Sequence, residues 1–117
     1  MPYRSLSVYQ KAYQLALDIH RLSLGFPKIE QFELASQMRR SSKSITANIA
    51  EGMGKQESHA EVKRYIRMAM GSCDETRVWL EFSKDLEYIN QAQFEHYNFR
   101  YQEVGKMLRG IIKRYTA

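Results

Sequence analysis

One cysteine, Cys73, and two prolines, Pro2 and Pro27, are all that a chain of 117 residues contains of either type. A lone cysteine excludes an internal disulfide, and the opening stretch MPYRSLSVYQKAY lacks the unbroken apolar core of a signal peptide, so the expected compartment is the reducing cytoplasm. Long apolar runs are missing too, which excludes a membrane-spanning helix. β-branched residues never alternate in period two, so strands are not expected. Acidic residues are in the minority: 18 Lys and Arg against 13 Asp and Glu leave a net charge of +5. That balance admits an acidic partner such as RNA or DNA, and it equally serves solubility.

What is present is helical periodicity. From Val8, the positions Ala12, Leu15, Ile19, Leu22 and Phe26 follow at spacings of three and four, closed by Gly25 and Pro27. A second stripe runs through Leu34, Met38, Ile45 and Ile49 to Gly52 and Gly54. Ser58 with Glu61 reads as the capping box of a third helix, whose stripe is Val62, Ile66, Ala69, Cys73, Thr76 and Leu80. A fourth follows through Phe94, Tyr97, Tyr101, Val104, Leu108, Ile111 and Tyr115. The spacing predicts helices at about 6–24, 31–52, 58–87 and 90–115 in one domain over 1–117. Short connections make neighbours antiparallel, and the expected fold is an all-α, up-down-up-down four-helix bundle.

Chemical motifs are scarce. No Glu-x-x-His pair offers facing metal ligands, and His20, His59 and His96 lack ligand spacing, so neither metal nor cofactor is expected. GMGK at 52–55 lacks the preceding strand and the full spacing of a phosphate loop, and reads as a helix end with left-handed glycines. No serine stands in a context suggesting activation, and no catalytic residue is assigned. At 100° per residue Arg40, Ser44, Asn48 and Glu51 fall within a wedge of about 80° beside the apolar stripe. This polar column, with Glu51 also four residues before Lys55, reads as a hydrogen-bonded seam setting helix register or a subunit contact; a ligand pocket of Ser44, Asn48, Glu51 and Glu75 is the alternative.

Four further faces stand out. Tyr9, Tyr13, Leu17, His20 and Leu24 form a second stripe on the first helix, and Tyr65, Met68, Trp79, Phe82 and Leu86 flank the core stripe of the third. A bundle core cannot bury both sides of a helix, so these stripes, in a chain with 8 tyrosines, suggest homo-oligomerisation. Lys63, Arg64 and Arg67 on the third helix, and Lys106, Arg109, Lys113 and Arg114 on the fourth, read as acid-free basic patches able to hold a phosphate backbone.

The segments SLSVYQKAY at 5–13, FPKIEQFELASQMRRSSKSITANIAEG at 26–52 and GSCDETRVWL at 71–80 resemble the protein family first noticed as reading frames within intervening sequences of bacterial 23S ribosomal RNA genes. The resemblance extends over nearly the whole chain. Ser5-Leu6 and Val8-Tyr9 stand where the family usually has Asp-Leu and Val-Trp, which keeps the apolar positions. The resemblance implies an antiparallel four-helix bundle, a ring-like homopentamer and no established enzymatic activity, and it makes Arg40, Ser44, Asn48, Glu51, Gly52 and Glu75 structural signature positions.

Overall fold

The apolar stripes form four helices: α1 (Ser7–Leu24), α2 (Leu34–Met53), α3 (His59–Asp85) and α4 (Gln91–Arg114), with single 3-10 turns at Tyr3–Ser5 and Lys28–Glu30. The computed structural model describes residues 2–116, so both ends of the expected 1–117 domain lie outside the described residues. The helices pack as a bundle of 46 × 23 × 20 Å. Each contacts its neighbours in chain order, α4 returns to α1, and the diagonal pairs stay apart.

Cross-helix contacts fix the directions. Going back along α2, Ser44, Ser41 and Met38 meet Ser72, Thr76 and Ser83 going forward along α3. His20 and Ser23 of α1 likewise meet Lys43 and Arg39 of α2, while Cys73 and Arg77 of α3 meet Tyr101 and Asn98 of α4. Every such pair runs antiparallel.

Between the helices lies one apolar cluster built from the expected stripes, Val8, Ala12, Leu15 and Ile19 facing Met38, Ile45 and Ile49, with Val62, Ile66, Leu80, Val104, Leu108 and Ile111 opposite. Fully burying an aliphatic side chain of this size contributes roughly 1.5–3 kcal/mol, so the shared core is the main stabilising term. No helix among the described residues is long and apolar enough to cross a membrane.

Local signals decide some helix ends and tertiary contacts decide others. Ser58 Oγ accepts the Glu61 N–H at 3.3 Å, but the Glu61 carboxylate turns to Arg64, leaving the expected box half made. The full capping box is at Asn90 and Gln93, with bonds of 2.9 and 2.8 Å. α2 begins at Leu34 rather than near 31. There Gln31 donates to the Ser23 and Phe26 carbonyls while Arg39 bonds the Gln31 carbonyl at 2.8 Å, which holds the connection out of the helix.

The glycines at 52–54 also depart from expectation. No glycine has a positive φ; the left-handed residue among those described is Glu87, at φ 66° where α3 ends. Gly52 lies inside α2, and Gly54 caps it at φ −77°. Gly52 serves close packing rather than backbone conformation: a Cβ there would stand 3.1 Å from the Cβ of Tyr65 and 3.4 Å from the Val62 carbonyl oxygen, a tight fit that leaves no room for a larger side chain. Here α2 and α3 pack closely.

Candidate functional site

The polar column divides. Ser44 Oγ accepts from Asn48 Nδ2 at 3.1 Å and lies 3.0 Å from Ser72 Oγ, so this half joins α2 to α3. Asn48 Nδ2 also reaches the Ser44 carbonyl, at 2.9 Å. Deeper in the same seam, Thr76 Oγ1 lies 2.8 Å from Ser41 Oγ. Arg40 and Glu51 do not join it. Both are exposed, and Arg40 reaches only Gln37, at 3.2 Å. Glu51 makes no ion pair with Lys55, whose ammonium sits instead 5.9 Å above the Tyr65 ring. Glu75, exposed on α3, accepts from Trp79 Nε1 at 3.1 Å. The four residues of the ligand-pocket alternative do not share one hydrogen-bond set: Ser44 and Asn48 bond each other, Glu75 bonds Trp79, and Glu51 is exposed.

Arg39, which periodicity does not single out, organises one end of the bundle. Its guanidinium donates to Ser23 Oγ at 2.9 Å, Gln31 Oε1 at 3.2 Å and the Gln31 carbonyl at 2.8 Å. Nearby, Lys43 Nζ donates to His20 Nδ1 at 2.9 Å. Burial, then Lys43, Arg39 and Arg21, lower the His20 pKa and hold the ring neutral. A neutral imidazole accepting from a lysine suits a packing role more than acid–base chemistry.

The two aromatic stripes take their place relative to α2. Tyr13, Leu17 and His20, with Ala16, Lys43 and Thr46, line a mainly apolar groove of about 330 Å³ between α1 and α2. Tyr13 is 50% exposed and Leu24 58%, while Tyr9 is half-buried between Tyr3 and Tyr13. Along the other flank of α2, Met68, Phe82 and Leu86 are 46%, 51% and 49% exposed. Tyr65 and Trp79 are half-buried on that same stripe. Between the flanks α2 presents Ala47, Ala50 and Glu51 in a shallow, open depression. Ala47 is exposed, so no helix of this chain uses the close approach it allows.

The basic patches reorganise as well. Arg64 is bound to Glu61 through two contacts, 2.9 and 3.2 Å, and its guanidinium stacks 4.5 Å from the Tyr65 ring, so that patch is not acid-free. Arg114 lies near Leu6 and Met53, away from Lys106 and Arg109. A groove between α3 and α4 collects the others. Arg77, Lys106 and Arg109 line a recess of about 260 Å³ there, together with Asp74 and Gly105, over Cys73 and Tyr101. Lys63 and Arg67 continue the Asp74 row of α3 at helical spacing, and Lys113 continues the Arg109 row of α4. Arg77 was not anticipated; as a single basic residue between core positions it carries no sequence signal.

Cys73 forms the floor of the recess, 2% exposed, with its Sγ 3.2 Å from the Tyr101 carbonyl oxygen. Burial pushes the thiol up from 9.0 to about 11; Asp74 adds to the rise, while Arg77 and Arg109 oppose it. The folded chain therefore keeps a proton that the unfolded chain releases, so this stability is fully present below about pH 9 and is lost as pH rises through 11. Two units correspond to about 3 kcal/mol. Urea denaturation of the wild type and Cys73→Ala at rising pH is expected to show a steeper alkaline loss in the wild type. Parallel curves would contradict a buried, protonated thiol.

No three His, Cys, Asp or Glu side chains among the described residues are grouped to hold a metal ion. His59 packs edge-on against Tyr115 at 5.0 Å, and His96 Nε2 accepts from Arg100 at 3.1 Å. Both rings make packing and surface hydrogen-bond contacts.

Comparison with known proteins bears on the whole chain. The family model described as 23S rRNA-intervening sequence protein matches residues 4–110. Among solved structures, a protein of unknown function from the S23 ribosomal protein family of Bacteroides thetaiotaomicron is similar at 32% identity and a TM-score of 0.84. The match covers 97% of this chain and 99% of that one. A search of curated proteins found no match. With four antiparallel helices in place of the expected stripes and the family's pattern running from residue 4 to 110, the chain belongs to the 23S rRNA-intervening sequence protein family.

Proposed function

We propose that this chain is a non-enzymatic, homo-oligomeric scaffold of the cytoplasm, assembled through the broad face centred on α2. The observation that carries this reading is the pair of apolar flanks, with Tyr13 and Leu24 on one side and Met68, Phe82 and Leu86 on the other, all 46–58% exposed around the small side chains of α2. Apolar and aromatic surface of this extent is costly to leave in water, and small residues between the flanks let a second chain approach closely. Surfaces repeated on every copy favour a closed symmetric assembly. The resemblance to the family implies five subunits.

Sedimentation velocity at micromolar concentration is expected to give one species several-fold heavier than the 13.8 kDa chain. A stable monomer overturns the proposal. Tyr13→Glu with Leu17→Glu is expected to yield a folded monomer, checked by circular dichroism, because both residues lie outside the buried core cluster.

A second reading has its own observation. Lys63, Arg67, Lys106, Arg109 and Lys113 flank one groove, and none has an ion-pair partner within 4.0 Å among the described residues. Such a strip suits the backbone of RNA or DNA, and binding would weaken steeply with salt as counterions are released. Structured RNA is expected to shift in a gel at low salt, and charge reversal at Lys106, Arg109 and Lys113 to abolish the shift. No shift at low salt removes this reading.

A further inference from the structure

Within the α3–α4 groove the recess at Arg77 differs from the open strip beside it. Arg77 is half-buried, and its Nε donates to Asn98 Oδ1 at 2.9 Å. That bond holds the guanidinium in place from one edge and leaves its terminal nitrogens without an acceptor among the described residues. Lys106 and Arg109 enter from α4, the first one residue after Gly105. A Cβ at Gly105 would meet nothing within 4 Å. Packing thus does not demand a glycine inside this helix, where it weakens the helix relative to alanine. Its effect is to deepen the recess between the two basic side chains of α4 and Arg77. Asp74 is the single carboxylate in the lining, and among the described residues no ion pair within 4.0 Å occupies it or the three cations.

We propose that this recess binds the phosphate group of a hydroxyl-bearing phosphate ester, with Arg77, Lys106 and Arg109 holding the phosphate oxygens and Asp74 accepting from the hydroxyl. A prepositioned guanidinium flanked by two further cations matches a tetrahedral dianion, since charge-assisted bonds from a planar fork are strong and directional. Asp74 opposes a bare anion and favours one that brings a donor beside it. A ribose phosphate combines both groups at this scale, either as a small free ester or as a unit of an RNA strand. The proposal does not require that the longer strip bind a polymer.

Calorimetric titration of the intact protein with inorganic phosphate, ribose 5-phosphate and a short single-stranded RNA tests the site. Ribose 5-phosphate is expected to bind saturably and more tightly than inorganic phosphate. Arg77→Gln and Gly105→Leu are each expected to weaken it about tenfold or more in a protein that stays folded, the second without altering any charge and with melting no lower than the wild type. Asp74→Asn is expected to weaken ribose 5-phosphate while strengthening inorganic phosphate, an opposite pair of effects that a structural role would not produce. Displacement of ribose 5-phosphate by RNA identifies the strand as a source of the phosphate; failure of RNA to displace it identifies the small ester. Absence of saturable binding by both small probes overturns the site. RNA binding that charge reversal removes but Gly105→Leu leaves intact supports the strip and overturns the recess.

Discussion

Replacing Tyr101 by alanine is expected to cost about 4 kcal/mol, whereas replacing it by phenylalanine is expected to cost nothing and to stabilise the bundle by up to about 1 kcal/mol. Tyr101 is the largest fully buried side chain, at 0% exposure, in the core stripe of α4. Truncation would remove a ring from a close-packed interior and leave a cavity that the surrounding helices cannot fully close. Its hydroxyl is a different matter. It is buried and no group among the described residues hydrogen-bonds it, so the polar atom gives back little of the cost of taking it out of water. Burial also raises its pKa, with Cys73, Asp18 and Tyr97 adding to the rise. Like Cys73 it therefore keeps its proton in the fold, and it adds to the stability lost at alkaline pH. Thermal and urea unfolding of the two variants separates ring from hydroxyl. A Tyr101→Phe protein clearly less stable than the wild type would show that the hydroxyl is well bonded.

Gly52→Leu is expected to destabilise by about 3 kcal/mol, at the upper end of what overpacking costs. The first added carbon already stands 3.1 Å from the Cβ of Tyr65 and 3.5 Å from Ile66 Cδ1. Tyr65 Cβ is fixed to the α3 backbone, so α2 and α3 must separate for the longer side chain to fit. Separation would strain the seam through Ser44 and Ser72, now at 3.0 Å. Gly52→Ala is expected to be nearly neutral, because its gain in helix propensity offsets one tight contact. Gly110→Ala supplies the control: a Cβ there meets nothing within 4 Å, and it is expected to add about 1 kcal/mol. Melting of all three variants checks the ranking. If Gly52→Leu melts with the wild type, the close approach of α2 and α3 is wrong.

Both effects also bear on the proposed assembly. Tyr65 belongs to the apolar flank beside α2, so a shift of α3 at Gly52 would disturb that face from within the subunit. Loss of oligomer in Gly52→Leu would accordingly follow loss of stability, while Tyr13→Glu with Leu17→Glu separates the two. The exposed Arg40 and Glu51 sit on the same α2 face. Their substitution is expected to leave monomer stability within about 0.5 kcal/mol, as for other exposed positions, since Arg40 has only an exposed bond to Gln37.

How much of this was legible in the sequence follows from the range of each interaction. Val62, Ile66, Ala69, Cys73, Thr76 and Leu80 announce a buried helix face because a period of 3.6 residues places them on one side of one helix; all six are buried. Ser58 announces a helix start because its hydroxyl meets an N–H three residues on. By itself, then, the sequence determined the four helices, their core faces and the existence of apolar surface that one bundle cannot cover. Only the tertiary structure decided which polar residues meet. Ser44 turned to Ser72 while Arg40 and Glu51, in the same wedge of α2, stayed outside; Arg39 reached back to Ser23 and Gln31 and delayed the start of α2; Arg77 joined Lys106 and Arg109 over Gly105. The reason is geometric. Periodicity fixes where a side chain leaves its own helix, whereas a bond to another helix depends on the rotation, separation and register of two helices, which the whole core sets at once.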